Sequence, residues 1–376
     1  MVYNNFDDLK LSRMGMGNMR LPTIGEGFHA PVDYAEAQKI IDYALDNGVN
    51  YFDTAFDYHG GDSEAFIGQA FGKHPRNSYH IATKYFILAN PDYKEVFETQ
   101  FKRLNVEYID FYLIHGIFDH TFRQYMDNGC IEYLQEQKDK GKIKYFGFSS
   151  HASIENLATF ANRHKWDFAQ IQLNPYDWVY GSAKQMYELL KNMEIPIIAM
   201  SPVRGGLLTS LSKDAEAMLK EAQPSWSAAE WALRWVKGLS NVLIALSGIS
   251  SMGDIKENTR IFSDDISLSE AEEQLLYKAY EVFRDEVTLP CTACKYCIES
   301  DTCSVDINIP KVLEIYNSVK VDGFWGLREL DNIETKGRPI DCTACGACNR
   351  RCPQGIDIAA CISELAEMAK GMPARD

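Results

Sequence analysis

The chain has no excess of positive charge. Across 376 residues, 38 Lys and Arg face 53 Asp and Glu, a formal net charge of −15. Nucleic acid is met by a basic stripe and an anionic membrane surface by a polybasic segment, so both partners are excluded. Long apolar runs are also missing: stretches such as Ile195–Met200 and Val242–Leu246 fall far short of the ~18–20 residues of a membrane span. Met1–Lys10 carries acids and amides where a secretory leader would place a basic and then an apolar stretch. A water-soluble, cytoplasmic protein is expected. Low-complexity segments are absent. Cysteine is nearly absent too until residue 291, with Cys130 alone before it. The other nine of the ten cysteines lie between Cys291 and Cys361. In a reducing compartment such crowding points to metal and not to disulfides.

What is present suffices for a large core: 46% of residues are hydrophobic, which excludes global disorder. At roughly 100–200 residues per domain the length predicts two or three domains. Near-continuous apolar runs, as expected of parallel strands covered on both faces, occur at Val49–Thr54, Tyr79–Lys84, Ile109–His115, Ile143–Ser149, Phe168–Leu173, Pro196–Ser201 and Val242–Ser247. A run around Met14–Leu21 precedes them. Helical segments lie between, at Asp33–Asn47, Ser63–Phe71, Asp92–Leu104, Asn128–Asp139, Ser153–His164, Ser182–Met193 and Ser227–Lys237. Alternation over about 250 residues predicts an α/β fold, a (β/α)8 TIM barrel. A doubly wound sheet is the alternative, but no G-x-G-x-x-G follows the first strand.

In such a barrel, chemistry sits at the carboxyl ends of strands. The second expected strand ends in Asp53-Thr54-Ala55, with Tyr58 shortly after; the third ends in Thr83-Lys84 and the fourth in His115. Singly, each has an ordinary structural explanation: an Asp caps a loop, a lone His is a satisfied polar residue, a Tyr in a Phe-rich loop packs. In this order they resemble the catalytic set of the aldo-keto reductase family. The matching segments are Phe52-Asp53-Thr54-Ala55-Phe56-Asp57-Tyr58, Ala82-Thr83-Lys84, Tyr112-Leu113-Ile114-His115, Gly147-Phe148-Ser149-Ser150-His151, Gln170-Ile171-Gln172-Leu173-Asn174-Pro175 and Ser201-Pro202-Val203-Arg204-Gly205-Gly206, within about Lys10 to Arg260.

The resemblance implies hydride transfer between a nicotinamide and a carbonyl or alcohol carbon. Tyr58 would supply the proton, with its pKa of ordinarily ~10 lowered by Lys84. Asp53 would hold Lys84, and His115 would orient the carbonyl and stabilise the developing oxyanion. It also implies that Ser149, Ser150 and Gln170 hold the carboxamide, that Ser201, Val203, Arg204 and Gly205 follow the pyrophosphate, and that Gly248 to Asn258 wraps the adenosine, with Glu257 and Asn258 on adenine. Met200 stands where many members stack a Tyr on the nicotinamide. Gly248 and Asp254 stand where a Lys and an Arg usually meet a 2′-phosphate, with Arg260 and Lys256 as the alternative cations for it, so NAD competes with NADP; a flavin in the same mouth is a further alternative. Phe28, His29, His59, Phe86, Phe118 and Trp178 are expected to line the mouth.

The cysteines form two runs. Cys342, Cys345, Cys348 and Cys352-Pro353 reproduce the bacterial ferredoxin spacing, and Cys291, Cys294, Cys297 and Cys303 match its first three positions with a longer gap to the fourth. Because the fourth cysteine of such a run serves the other cluster, Cys352 joins Cys291, Cys294 and Cys297, and Cys303 joins Cys342, Cys345 and Cys348. Zinc is the alternative, but four-cysteine zinc sites need neither a third cysteine at that spacing nor the following proline. Helices at Pro310–Val321 and Ile358–Lys370 make this resemble a helical ferredoxin-like domain carrying two [4Fe–4S] clusters. Asp322–Asp341 is expected as a loop on the barrel or a partner surface, and Cys130 and Cys361 as buried thiols. A helix at Ser269–Phe283 and the break at Pro290 suggest domains of 1–285 and 286–376. Together the halves predict an oxidoreductase acting on a small carbonyl or alcohol, with a ferredoxin-like redox partner. The alternative is an electron-transfer or redox-sensing subunit whose barrel binds a cofactor without ordinary NADPH-dependent reduction.

Overall fold

The computed structural model describes residues 1–25, 30–301, 303–333 and 335–370. They divide into two compact units: Met1–Gly205 with Trp226–Tyr277, and Gly206–Ser225 with the chain from Lys278 onward.

In the first unit a hairpin, β1 (Tyr3–Phe6) and β2 (Leu9–Ser12), precedes eight parallel strands: β3 (Met14–Gly17), β4 (Tyr51–Asp53), β5 (His80–Tyr85), β6 (Ile109–Ile117), β7 (Ile143–Ser150), β8 (Phe168–Gln172), β9 (Ile197–Met200) and β10 (Val242–Gly248). They form a closed barrel in chain order, shut by β10 against β3 with Gly248 beside Gly17. The interior is filled by large side chains, as in a packed (β/α)8 core: Tyr51, Phe111, Leu113, Phe168, Ile198 and Ile244 are buried together. The hairpin, which the sequence pattern did not reveal, adds Leu11 to that core and sets Phe6 against Tyr145, ring centroids 4.8 Å apart. It plugs the end where the strands begin and leaves the other end as the mouth.

The helices start where capping chemistry allows. Asp33 accepts hydrogen bonds from the N–H groups of Ala35 and Glu36, and Asp92 from those of Lys94 and Glu95, the role of an N-cap carboxylate. The helix Asp62–Ala70 meets Tyr93–Leu104 at Gly68, where an added Cβ would stand 2.3 Å from the carbonyl oxygen of Arg103. Further helices that the pattern missed are Phe122–Asp127, Pro175–Tyr180, Lys213–Ala222 and Met252–Ile261.

In the second unit, helices Ile309–Asp322 and Ile358–Lys370 share a core built on Val312, Leu313, Tyr316, Ile362 and Leu365. The Asp322–Asp341 stretch differs from the expected surface loop. Gly323–Asn332 is a 3-10 helix, and Leu327 and Leu330 are buried in this unit's own core. Cys361 is buried there as well, while Cys130 lies in the first unit with its thiol pushed up to about 12 by burial. Among the described residues no helix is long and apolar enough to cross a membrane.

Candidate active site and cluster cradles

Asp53 ends β4, Lys84 lies near the end of β5 and His115 near the end of β6. Tyr58 opens a tight turn after β4, in which His59, Gly60 and Gly61 take φ of +53°, +64° and +95°. Such a left-handed run explains the two glycines; His59 is held in it by its Nδ1 contact to the Ala30 carbonyl at 3.0 Å. Gly61 also makes room for Arg103, whose guanidinium carbon would lie 2.5 Å from a Cβ there. Arg103 in turn donates to the Phe56 carbonyl at 2.9 Å and to Glu64 at 3.0 Å. On the other side, Asn18 donates to the Asp53 carbonyl at 2.9 Å. Both ends of the segment that carries Tyr58 are thereby fixed. Glu64 is also bonded by Thr83 and Gln100. No motif in the sequence pointed to Asn18, Glu64, Gln100 or Arg103, because each acts through backbone or buried partners remote in sequence.

The four expected catalytic side chains converge. Lys84 Nζ pairs with the Asp53 carboxylate, donates to the Thr54 carbonyl at 2.6 Å and reaches the Tyr58 hydroxyl at 3.5 Å. The Tyr58 and His115 rings stand edge to face with centroids 5.8 Å apart. His115 Nδ1 faces Asp57 Oδ1 at 3.7 Å, and its carbonyl accepts from the Tyr125 hydroxyl at 2.6 Å. Burial raises the Asp53 carboxyl above its ordinary value, against the pull of Lys84. The expectation that Lys84 lowers Tyr58 is corrected: burial, then Asp53 and Asp57, push the phenol well above its usual value. The ammonium is already paired with Asp53, so Tyr58 faces a nearly neutral ion pair and not a free cation. Burial, then Lys84 and His151, hold His115 well below the ordinary imidazole value.

Of the expected lining residues, Phe86 packs on His115 at 5.0 Å and Phe118 stacks on His151 at 5.0 Å. Trp178 packs on Tyr187 and Trp235, at 5.4 and 5.1 Å. Phe28 and His29 lie outside the described residues.

Ser149 and Gln170 are register neighbours on β7 and β8. Ser149 Oγ accepts from the Gly116 N–H at 2.8 Å, and Ser150 Oγ from that of Ala152 at 3.2 Å. Among the described residues the buried Gln170 Oε1 has no hydrogen-bond partner, so it is open to a polar ligand. Met200 ends β9, half-buried, and pairs in register with Gln172. Ser201, Arg204, Gly205 and Gly206 all have positive φ, and Val203 lies between them. Arg204, expected near the pyrophosphate, donates to Asp177 at 2.9 Å and covers the Tyr176 ring, so its charge is already matched. Asp254 accepts from the Ser250 N–H and hydroxyl and from the Ser251 N–H, at 3.0, 2.9 and 2.9 Å. It therefore caps the helix Met252–Ile261, on which Glu257 and the buried Asn258 also lie. Asn258 donates to Ser247 at 2.9 Å.

Two cavities lie in the second unit. One is lined by Cys291, Cys294, Cys297 and Cys352. The other is lined by Cys303, Cys342, Cys345 and Cys348. The crossed grouping read from the spacing is thus the grouping in space. Ala293 and Lys295 in the first run, and Ala344 and Gly346 in the second, all have positive φ. This alternation turns successive N–H groups to one side, as in the nests that receive anionic clusters. Among the described residues no three His, Cys, Asp or Glu side chains could share a single metal ion. Zinc would draw four sulfurs to about 3.8 Å from one another, the edge of a tetrahedron with ~2.3 Å arms. Two sets of four cysteines, each around its own cavity, suit a pair of four-thiolate iron–sulfur groups.

Comparison with known proteins agrees with both halves. The 4Fe-4S dicluster domain profile matches residues 290–357. An uncharacterised oxidoreductase of Bacillus subtilis, YqkF, is 26% identical over 73% of this chain and 96% of its own. The NADH-specific methylglyoxal reductase of Escherichia coli is 25% identical over 73% and 96%. Among solved structures, the holo form of an aldo-keto reductase from Bacillus halodurans superimposes with a TM-score of 0.61 at 26% identity, covering 74% of this chain and 95% of that one. The Aldo/keto reductase family profile matches residues 13–280, and the chain belongs to that family.

Proposed function

We propose that the barrel reduces a small carbonyl compound, or oxidises the corresponding alcohol, at the expense of a nicotinamide dinucleotide. We further propose that the second domain exchanges single electrons with a ferredoxin-like partner. The observation that carries the first reading is the position of Lys84, bonded to Asp53 and 3.5 Å from the Tyr58 hydroxyl, with His115 across from that ring. When bound, the nicotinamide supplies or accepts the hydride. Tyr58 delivers the proton to the carbonyl oxygen. Its raised pKa keeps it protonated until charge develops on that oxygen. Lys84 then stands beside the phenolate left behind, held in place by Asp53 and the Thr54 carbonyl. Neutral His115 orients the carbonyl by a hydrogen bond, and Phe86 and Phe118 offer an apolar wall to the rest of the substrate.

Gln170 Oε1, buried and unpartnered, fits the amide of a nicotinamide, with Ser149 beside it. NADH suits the adenosine end better than NADPH. Asp254 fills the helix N-terminus with a protein carboxylate, and Arg260 is committed to Glu230 at 2.5 Å, which leaves the exposed Lys256 as the one cation of that helix open to a 2′-phosphate. The NADH-specific relative supports that choice. In the cluster domain, taken from residue 286, Cys291, Cys294, Cys297 and Cys352 would hold one [4Fe–4S] cluster and Cys303, Cys342, Cys345 and Cys348 the other. So many free thiols fit a reducing compartment, the cytoplasm.

Tyr58→Phe removes the acid and leaves the ring. NADH-dependent reduction of small aldehydes by this variant is expected to fall by about 10²–10⁴-fold, with nucleotide affinity preserved. Turnover equal to that of the unaltered protein would sink the assignment.

A further inference from the structure

Arg20 stands on the short turn Asn18–Arg20, just past the end of β3. Its side chain runs over Gly248, where an added Cβ would lie 3.5 Å from Arg20 Cδ. Its Nη2 comes within 3.4 Å of the corresponding point on Gly205. The side chain thus spans three strand ends at the mouth, those of β3, β10 and β9. It is exposed, and among the described residues it makes no ion pair and no side-chain hydrogen bond. The neighbouring cations are committed: Lys84 to Asp53, Arg204 to Asp177, Arg260 to Glu230. Beside Arg20, Gly205 has a φ of +66°, a conformation that glycine adopts readily and that lets the backbone approach a ligand closely.

We propose that Arg20 anchors the pyrophosphate of the bound dinucleotide, the task for which the family resemblance nominated Arg204. A guanidinium offers a planar fork of donors that matches phosphate oxygens, and Gly248 and Gly205, having no Cβ, leave its stem unobstructed. The inference rests on the nicotinamide reading and adds a binding residue to it.

Calorimetric titration of the full-length protein with NADH and, separately, NADPH tests it. Arg20→Gln should weaken both dinucleotides by the same factor, roughly tenfold or more for a lost charged hydrogen bond. Arg20→Lys should recover only part of the loss. The thermal midpoint should not move, since the side chain is exposed. A loss confined to NADPH would assign Arg20 to the 2′-phosphate and overturn the proposal, as would undiminished binding of both. Failure of the unaltered protein to bind either dinucleotide would instead overturn the cofactor reading together with the proposal.

Discussion

Lys84 accounts for a carboxylate being tolerated at the buried end of β4. Asp53 and Lys84 are each about 1% exposed, and an isolated charge there would cost several kcal/mol. Paired, and with the Thr54 carbonyl taking a second ammonium proton, the two are compensated. The same pairing leaves little positive field for Tyr58, so burial dominates and its proton is held tightly. His115 shifts the other way and stays neutral. The signs predict the pH dependence. A depressed imidazole pKa means no gain of charge on His115 near its ordinary ~6.5, and a raised phenol pKa means no loss of the acid near ~10. The rate of carbonyl reduction should therefore be flat from about pH 6.5 to 9, while alcohol oxidation, which needs the phenolate, should rise with pH. A break in the reduction profile near 6.5 would show that His115 titrates normally.

At the scale of elements, the two cysteine loops adopt one backbone twice. Ala293 pairs with Ala344 and Lys295 with Gly346, all at positive φ. Lys295 holds a conformation that costs a residue with a Cβ roughly 1–2 kcal/mol, a strain retained at the cradle. The prediction at this scale is that Cys345→Ser, an exposed position, folds normally but binds about half the iron of the unaltered protein after anaerobic reconstitution, because three of the ferredoxin-type ligands belong to one cluster. Full iron content would contradict the ligand grouping. The cysteine loops were legible in the sequence because thiolate spacing is itself the constraint. The barrel strands were legible because buried parallel strands read as apolar runs. The hairpin Tyr3–Phe6 and Leu9–Ser12 was not, since YNNF and LKLS are short and half polar. Helix Lys213–Ala222 was missed for a similar reason: it buries little beyond Ala215 and Leu219. Asn18, Arg103 and Arg20 were invisible because their importance lies in where the closed barrel brings them.

The whole molecule joins two kinds of electron chemistry in one chain. A nicotinamide gives two electrons at once as hydride, whereas each iron–sulfur cluster passes one. The account assigns carbonyl reduction to the barrel alone, through Tyr58, Lys84, Asp53 and His115, and gives the clusters their own partner. The source of the hydrogen on the product carbon separates this from reduction fed by the clusters, in which that hydrogen would come from water. The most direct measurement is therefore mass spectrometry of the alcohol formed by the cluster-loaded protein from a small aldehyde and NADH carrying deuterium at both C4 positions, in ordinary water. The account predicts an alcohol carrying one deuterium on the former carbonyl carbon, formed by the unaltered protein and lost with Tyr58→Phe. Unlabelled alcohol would contradict it.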